Sequence, residues 1–190
     1  MESIAYAITG GWASGISAYA TVLVIGLIGR SGLADAPEVL ERTDVLVVAG
    51  VLAAIEFVAD KIPLVDSVWD SVHTVIRPVV AAALGYLVAG DASSLAQALT
   101  ATLSGGLALA SHGAKAGVRL AVNTSPEPVT NIGVSTVEEV SLAGVLLLAT
   151  QYPWLAAGVA LVLLAAGATL AIWLAGRARR GWRRLRETLS

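Results

Sequence analysis

One uncharged run limits what this chain can fold into. From Trp154 to Ala175 the sequence contains no charged side chain, and a helix needs ~20 such residues to cross the hydrocarbon core of a bilayer. The composition agrees, because hydrophobic residues make up 56% of the 190 residues and charged residues only 14%. We therefore predict an all-α, polytopic helical membrane protein. The same composition excludes an ordinary soluble enzyme, a disordered chain and a nucleic-acid-binding protein.

Apolar stretches separated by polar segments predict about six membrane spans. We place these spans at residues 4–29, 44–59, 76–90, 95–122, 134–150 and 153–176. The segment 64–77 carries charged and apolar residues on opposite faces, which predicts a short amphipathic helix that lies on the interface or re-enters the membrane. Residues 1–176 then form a single transmembrane domain, and residues 177–190 form a basic cytoplasmic tail.

Basic side chains are concentrated after the last span, where six of the 12 lysines and arginines lie. Because positive charge next to spans favours the cytoplasmic side, we expect a cytoplasmic C-terminus, and six spans place the N-terminus on the same side. Lysine is rare whereas alanine, glycine and arginine are abundant, so we expect a multi-pass protein of the bacterial cytoplasmic (inner) membrane. We interpret the tail as an anchor on the lipid bilayer rather than a nucleic-acid-binding segment.

The two halves of the chain share an outline. Residues 1–95 and 96–176 each hold three predicted spans, and Gly10-Gly11 aligns with Gly105-Gly106 at one constant offset. An odd number of spans per repeat makes two repeats inverted in the membrane, which is a common plan in transporters. We therefore predict an inverted repeat of two halves.

Charged side chains recur at helical spacing around the end of the second span. Glu56 and Asp60 are four residues apart and share a helix face, and Arg77 follows beyond them. A carboxylate inside an apolar run needs a counter-charge, a cavity or a proton. We predict that this acidic stripe is buried and functional, with an exposed surface helix as the alternative. The members of the acidic stripe are Glu56, Asp60, Asp66 and Asp70.

A complementary basic stripe lies in the fourth span. Lys115 and Arg119 share its face, and two carboxylates, Glu138 and Glu139, follow in the fifth span. Ser135 and Glu138 also fit a helix-capping box. Buried charges are tolerated when they are paired, so we predict that the two stripes pack together.

The predicted site contains six carboxylates and only four lysines or arginines, an excess that favours a cation or a proton. A metal ion, if the site held one, would bind Asp66 and Asp70. The carboxylates are Glu56, Asp60, Asp66, Asp70, Glu138 and Glu139. The counter-charges or anion-binding groups are Lys61, Arg77, His112, Lys115 and Arg119. The polar lining is Ser14, Ser17, Asn123 and Asn131.

The first span is rich in small residues, among them Gly10, Gly11, Ser14, Gly15 and Ser17. Small residues allow two helices to approach closely. The same residues can also break a helix and expose backbone groups to a site. We expect close packing, which is the commoner reason for such a run.

Two motifs resemble the signature of a bacterial membrane family called domain of unknown function 4126. The first is Glu-x-x-x-Asp-Lys-Ile-Pro-x-x-Asp-x-x-x-Asp at 56–70, followed by Arg77-Pro78. The second is His-x-x-Lys-x-x-x-Arg at 112–119, leading to Asn-Thr-Ser-Pro-Glu-Pro. The resemblance covers about residues 5–150. It implies an integral membrane protein, supports the site residues and names no substrate.

Our leading hypothesis is a small transporter or channel for a cation or proton that works as a homo-oligomer without a cofactor. One alternative is a non-transporting scaffold or accessory subunit whose charges form structural ion pairs. Another is a lipid-headgroup site in which His112, Lys115 and Arg119 bind phosphate. A lipid-directed membrane enzyme is a variant of that site, although no catalytic motif in the sequence supports it.

Overall fold

The computed structural model describes residues 2–62, 65–122 and 128–189, which form eight helices and no strand. This arrangement confirms the all-α prediction. The helices are α1 (Glu2–Ile16), α2 (Ala18–Arg30), α3 (Glu38–Glu41), α4 (Thr43–Ala59), α5 (Val65–Val88), α6 (Ser94–Val122), α7 (Pro128–Ala149) and α8 (Pro153–Leu189).

The predicted first span is a helical hairpin rather than one helix. Ser17 has an extended backbone between α1 and α2, and its hydroxyl accepts a hydrogen bond from Ala20 N–H at the start of α2. Glu2 at the start of α1 borders the same cavity as Ile28 near the end of α2. A straight helix would hold these two residues about 40 Å apart. The prediction of a continuous span over 4–29 is therefore wrong.

The start of α1 and the end of α2 lie together at one end of the bundle, which we call the N-terminal end, and the turn at Ser17 is buried inside the bundle. Val88 and Ala149, near or at the ends of α5 and α7, border the cavity there. At the opposite end, which we call the C-terminal end, Arg119 of α6 bonds to Asn131 of α7. Helices α4 to α8 alternate in direction, so α8 starts at the N-terminal end and finishes at the C-terminal end. This arrangement does not support the prediction that both ends of the chain lie on one side.

Helix α5 joins two segments that the sequence separated. The predicted short helix at 64–77 and the predicted span at 76–90 are one helix that continues through Pro78. Proline is tolerated inside membrane helices when neighbouring groups compensate for the lost hydrogen bond. Asp70 and Arg77 on its polar face are buried, so this face does not lie on an interface. The prediction of a separate interfacial or re-entrant helix at 64–77 is wrong, because these residues belong to one continuous helix.

Small residues bring α1 and α6 into backbone contact. A Cβ atom on Gly11 would lie 2.6 Å from Ser104 O, and one on Gly15 would lie 2.5 Å from Ala108 O. This close approach is what small residues permit between membrane helices. The first predicted span therefore provides both close packing and a helix break.

The bundle is apolar outside and charged inside, the reverse of a soluble domain. Three helices in the described parts are long and apolar enough to cross a membrane, at Val65–Val88, Val129–Ala149 and Pro153–Arg177. This supports membrane association, whereas the prediction of six spans is not confirmed. The inverted repeat stays a prediction. The two halves differ in one respect, because the first half has a helix break at Ser17 and α6 in the second half is continuous. Exposed apolar side chains include Val47, Val51, Val68, Val72 and Ile172.

Candidate functional site

The structure brings the acidic and basic stripes together beside the tip of the hairpin, in two buried clusters and one half-buried group. The Arg77 cluster consists of Ser17, Glu56, Asp70, Arg77 and His112. The Lys115–Arg119 cluster consists of Asp60, Lys115, Arg119, Asn131 and Glu138. The Lys61 group consists of Lys61, Ser135 and Glu139.

Arg77 is the only lysine or arginine of its cluster and is fully buried. Its Nη2 donates to Glu56 Oε1 at 2.7 Å. Its Nη1 donates to Gly15 O at 3.2 Å and to His112 Nδ1, and lies 3.1 Å from Asp70 Oδ1. Because the two Nη1 protons are used on Gly15 and His112, Asp70 Oδ1 is attracted by charge alone and has no hydrogen-bond partner among the described residues. One guanidinium thus faces two carboxylates.

The other contacts of this cluster fix the state of His112. Arginine only donates, so His112 Nδ1 is an acceptor and Nε2 carries the proton. His112 Nε2 lies 3.0 Å from Thr74 Oγ1, to which it can donate. His112 is therefore neutral in this arrangement. It adds no positive charge to offset the second carboxylate.

The hairpin break supplies backbone partners for these charges. The carbonyls of Gly15 and Ile16 at the end of α1 accept hydrogen bonds from Arg77 and from Lys115 Nζ, the latter at 2.9 Å. Such terminal carbonyls lack helical partners and carry partial negative charge. Ser17, at the start of α2, donates to Glu56 Oε2. Charged side chains from α4, α5 and α6 therefore hold both ends of the broken helix.

The Lys115–Arg119 cluster is balanced, because two cations meet two carboxylates. Lys115 Nζ lies 2.6 Å from Asp60 Oδ2, and Arg119 Nη2 lies 2.7 Å from Glu138 Oε2. Arg119 Nη1 also donates to Asp60 O at 2.6 Å and to Asn131 Oδ1 at 2.9 Å. Buried ion pairs offset their desolvation cost only with additional hydrogen bonds of this kind.

The Lys61 group is also balanced and is more exposed. Lys61 Nζ lies 3.2 Å from both Glu139 Oε1 and Ser135 Oγ, and 3.1 Å from the centre of the Phe57 ring. Ser135 lies inside α7, which begins at Pro128. The capping-box interpretation is therefore wrong, and Glu138 contacts Arg119 instead.

Within the described residues the Arg77 cluster thus contains one carboxylate more than it has cations. Asp66 is buried and accepts a hydrogen bond from Ser67 N–H at 2.6 Å. Across the described ranges no group of three or more His, Asp or Glu side chains could hold a metal ion. The binding of a metal ion by Asp66 and Asp70 stays a prediction.

Two cavities lie on opposite sides of the Arg77 cluster, and a third, of about 600 Å³, borders Lys115 and Glu138. One, of about 410 Å³, opens at the N-terminal end and extends to Thr9 and Ser104. The other, of about 240 Å³, lies between α5 and α6 and is bordered by Asp70, His112 and Arg119. Asp70 therefore borders a cavity and is paired with Arg77 by charge without a hydrogen bond.

The sequence missed some of the contacting groups. His73 stacks on Trp69 and contacts Tyr19 Oη through Nε2 at 3.1 Å. Its position on the face of Asp70 was a usable signal. The small residues of the first span indicated that a helix break could expose backbone groups, but they did not single out the carbonyls of Gly15 and Ile16. Among the predicted lining residues, Ser14 is buried without a hydrogen-bond partner among the described residues. Ser17 and Asn131 belong to the clusters, and Asn123 lies outside the described residues.

Comparison with known proteins agrees with the motifs of the acidic and basic stripes. No curated protein and no solved structure matches the chain. The model of one family, described as a domain of unknown function (DUF4126), matches residues 4–175. That match covers nearly the whole bundle and both clusters, and the chain therefore belongs to this family.

Proposed function

We propose that the protein is a small membrane transporter or channel that moves a proton or a small cation through the Arg77 cluster. The observation that carries this proposal is one buried guanidinium facing two buried carboxylates, Glu56 and Asp70. An uncompensated charge in a low-dielectric interior is costly. A proton or monovalent cation on the second carboxylate neutralises the cluster.

The hairpin supports a transport role. In many transporters, broken helices place their half-helix ends at an ion or substrate site near the middle of the membrane. Here the break at Ser17 places the carbonyls of Gly15 and Ile16 against Arg77 and Lys115. The 240 Å³ cavity borders Asp70 and His112, whereas the 410 Å³ cavity ends at Thr9 and Ser104, so access to the cluster from the N-terminal end requires a shift of the hairpin.

Asp70 is the carboxylate that we assign to the exchange. It borders the smaller cavity, and its Oδ1 makes no hydrogen bond to Arg77 despite the 3.1 Å separation. Protonation of Asp70 removes its attraction to Arg77 and leaves Arg77 paired with Glu56. Glu56 also accepts a hydrogen bond from Ser17, which links the cluster to the turn of the hairpin.

The orientation follows from charge. We place the C-terminal end, with the basic tail of α8, in the cytoplasm of a bacterial cell, and the protein in the inner membrane as a multi-pass homo-oligomer. The 410 Å³ cavity then opens on the opposite side. Labelling of a cysteine added after Ser190 should fail from outside intact cells, and ready labelling would overturn this orientation.

A flux assay tests the proposal. Purified protein is reconstituted in vesicles that contain a pH-sensitive dye, and a potassium diffusion potential drives proton entry. Asp70→Asn should lower the proton flux at least about tenfold, because the variant keeps the shape of the side chain and loses the exchangeable charge. Asp44→Asn is the matched control, because Asp44 is exposed and pairs with Arg42 on the surface. Equal flux in Asp70→Asn and Asp44→Asn would overturn the assignment.

A scaffold or accessory subunit is the second candidate, and the pairing of the Lys115–Arg119 cluster favours it. Lys115 and Arg119 are bonded to Asp60 and Glu138, as structural ion pairs would be. The scaffold predicts no flux of H⁺, Na⁺ or K⁺ in wild-type vesicles. A phosphate headgroup would have to displace both carboxylates, so this geometry favours the lipid-headgroup alternative less.

A further inference from the structure

We propose that the 600 Å³ cavity among α1, α6, α7 and α8 binds an uncharged, membrane-soluble alcohol, with its hydroxyl group on Glu138 and Ser141 and its alkyl chain along the apolar wall. A cavity of this size is within the range of small-molecule sites. Binding there does not depend on the proposed ion flux, because the cavity borders the Lys115–Arg119 cluster and none of the residues of the Arg77 cluster.

The wall of this cavity is apolar and reaches the outer surface of the bundle. Val137 of α7 and Leu170 of α8 border the cavity and are exposed. Both lie in helices that are long and apolar enough to cross a membrane. A molecule dissolved in the hydrocarbon layer can therefore enter between these helices, whereas a hydrated ion would lose its water there at a high cost.

Two polar side chains border the inner part of the cavity. Glu138 and Ser141 are one helical turn apart and are the last residues of α7 on its border. Arg119 binds Glu138 through Oε2, while Oε1 has no hydrogen bond within the described part of the chain. The Ser141 hydroxyl likewise makes no hydrogen bond to any described residue. Both side chains are only partly buried, so they keep accessible surface for a molecule in the cavity.

The Ser141 hydroxyl differs from other hydroxyls on the same two helices. Thr136 of α7 and Thr169 of α8 donate to carbonyls of their own helices at 2.8 and 2.7 Å, which is how serine and threonine commonly satisfy themselves in a helix. A hydroxyl that makes no such bond in apolar surroundings is unfavourable. Ser141 therefore indicates a polar ligand group in the cavity.

The charges at the cavity favour a neutral ligand. Lys115 also borders it, and its Nζ lies 4.0 Å from Glu138 Oε2. Because two cations already face two carboxylates in this cluster, an ammonium or carboxylate group on the ligand would add a buried charge without compensation. A hydroxyl group adds no charge, and it can donate to Glu138 Oε1 while it accepts from Ser141.

The length of the cavity favours a single alkyl chain. Thr130 and Ser141 border its two ends along α7 and are eleven residues apart. This separation is about 16 Å along the helix, which the extended chain of 1-dodecanol spans.

Binding is tested by photochemical labelling of the full chain in phosphatidylcholine nanodiscs. The probe is 1-dodecanol with a diazirine in the middle of its chain, and mass spectrometry identifies the labelled residues. Two probes with the same diazirine chain separate its features: the dodecane probe lacks the hydroxyl, and the dodecylamine probe carries a charge. We expect saturable labelling of the cavity border by the alcohol, and labelling at least about fivefold weaker by either of the other probes. Absence of saturable labelling, or labelling by either other probe as strong as by the alcohol, would overturn the proposal.

Two glycines of α7 provide a matched pair of variants. Gly133 borders the cavity and Gly144 does not, and a Cβ atom on either would meet no neighbouring atom within 4 Å. Gly133→Leu should fill part of the cavity and lower labelling by the alcohol at least about fivefold, whereas Gly144→Leu should leave it unchanged. Equal labelling in the two variants would overturn the assignment to this cavity.

A third variant tests the polar end. Ser141→Ala should lower labelling by the alcohol probe several-fold and leave labelling by the dodecane probe unchanged, because only the alcohol bonds to this hydroxyl. Unchanged labelling by the alcohol would overturn the placement of its hydroxyl group. Asp70→Asn should keep full labelling, so a failure of the flux proposal is distinguishable from a failure of this one.

Discussion

The Arg77 cluster and the Lys115–Arg119 cluster are neighbours along α6, yet their charges are balanced differently. Two carboxylates, Glu56 and Asp70, face one guanidinium in the first. In the second, two carboxylates face two cations, which also donate to backbone and amide oxygens. A balanced buried cluster holds helices together, whereas an unbalanced one needs a further positive charge. The difference indicates a division between a structural and an exchanging cluster within one bundle.

The largest contrast should come from removing one cation from each cluster. Arg77→Met leaves Glu56 and Asp70 buried without a cation, and should lower the free energy of unfolding by about 3–5 kcal/mol. Lys115→Met should cost less, since Arg119 Nη2 already lies 3.6 Å from Asp60 Oδ2. Denaturant unfolding of both variants in detergent measures the difference. Equal losses would mean that the clusters do not differ in balance.

A double-mutant cycle sharpens the account of the balanced cluster. Arg119→Met leaves Glu138 without its nearest cation, whereas Arg119→Met combined with Glu138→Gln removes both charges. The combined loss should therefore be smaller than the sum of the separate losses, with a coupling of about 1–3 kcal/mol. Strict additivity in the unfolding free energies would show that the two side chains do not pair.

One uncharged polar side chain from each cluster, Ser17 and Asn131, should separate stability from flux. Ser17→Ala removes the cap of α2 and the bond to Glu56, and should cost about 1 kcal/mol of unfolding free energy together with most of the proton flux. Asn131→Ala removes a bond to Arg119 and should cost a similar amount while leaving flux per folded molecule unchanged. A loss of flux in Asn131→Ala as large as in Ser17→Ala would break the proposed division.

Sequence periodicity was enough to predict the helical class and the meeting of the two stripes. Lys115 and Arg119 share a face inside an apolar span, and burial of that face required carboxylate partners. Periodicity could not locate the hairpin, because a single extended residue at Ser17 interrupts an otherwise continuous apolar pattern. The sequence also gave no sign that α5 continues through Pro78, since whether a proline ends a membrane helix depends on the neighbouring helices.

The pairing within each cluster was equally hidden. Glu138 was assigned two roles by local spacing, as a cap or as a site carboxylate, and only the start of α7 at Pro128 decided between them. The backbone acceptors Gly15 and Ile16 became available through the break in the hairpin. Tertiary geometry, rather than composition, therefore decides which carboxylate is left with the weakest partner.

The central claim is that Asp70 in the unbalanced cluster takes up an exchangeable proton. Infrared difference spectroscopy on reconstituted protein measures this directly, because a protonated carboxyl group has a carbonyl band that a carboxylate lacks. Acidification should produce such a band from a buried carboxyl in the wild-type protein and in Glu138→Gln, and the band should be missing in Asp70→Asn. A band of unchanged intensity and position in Asp70→Asn would contradict the account.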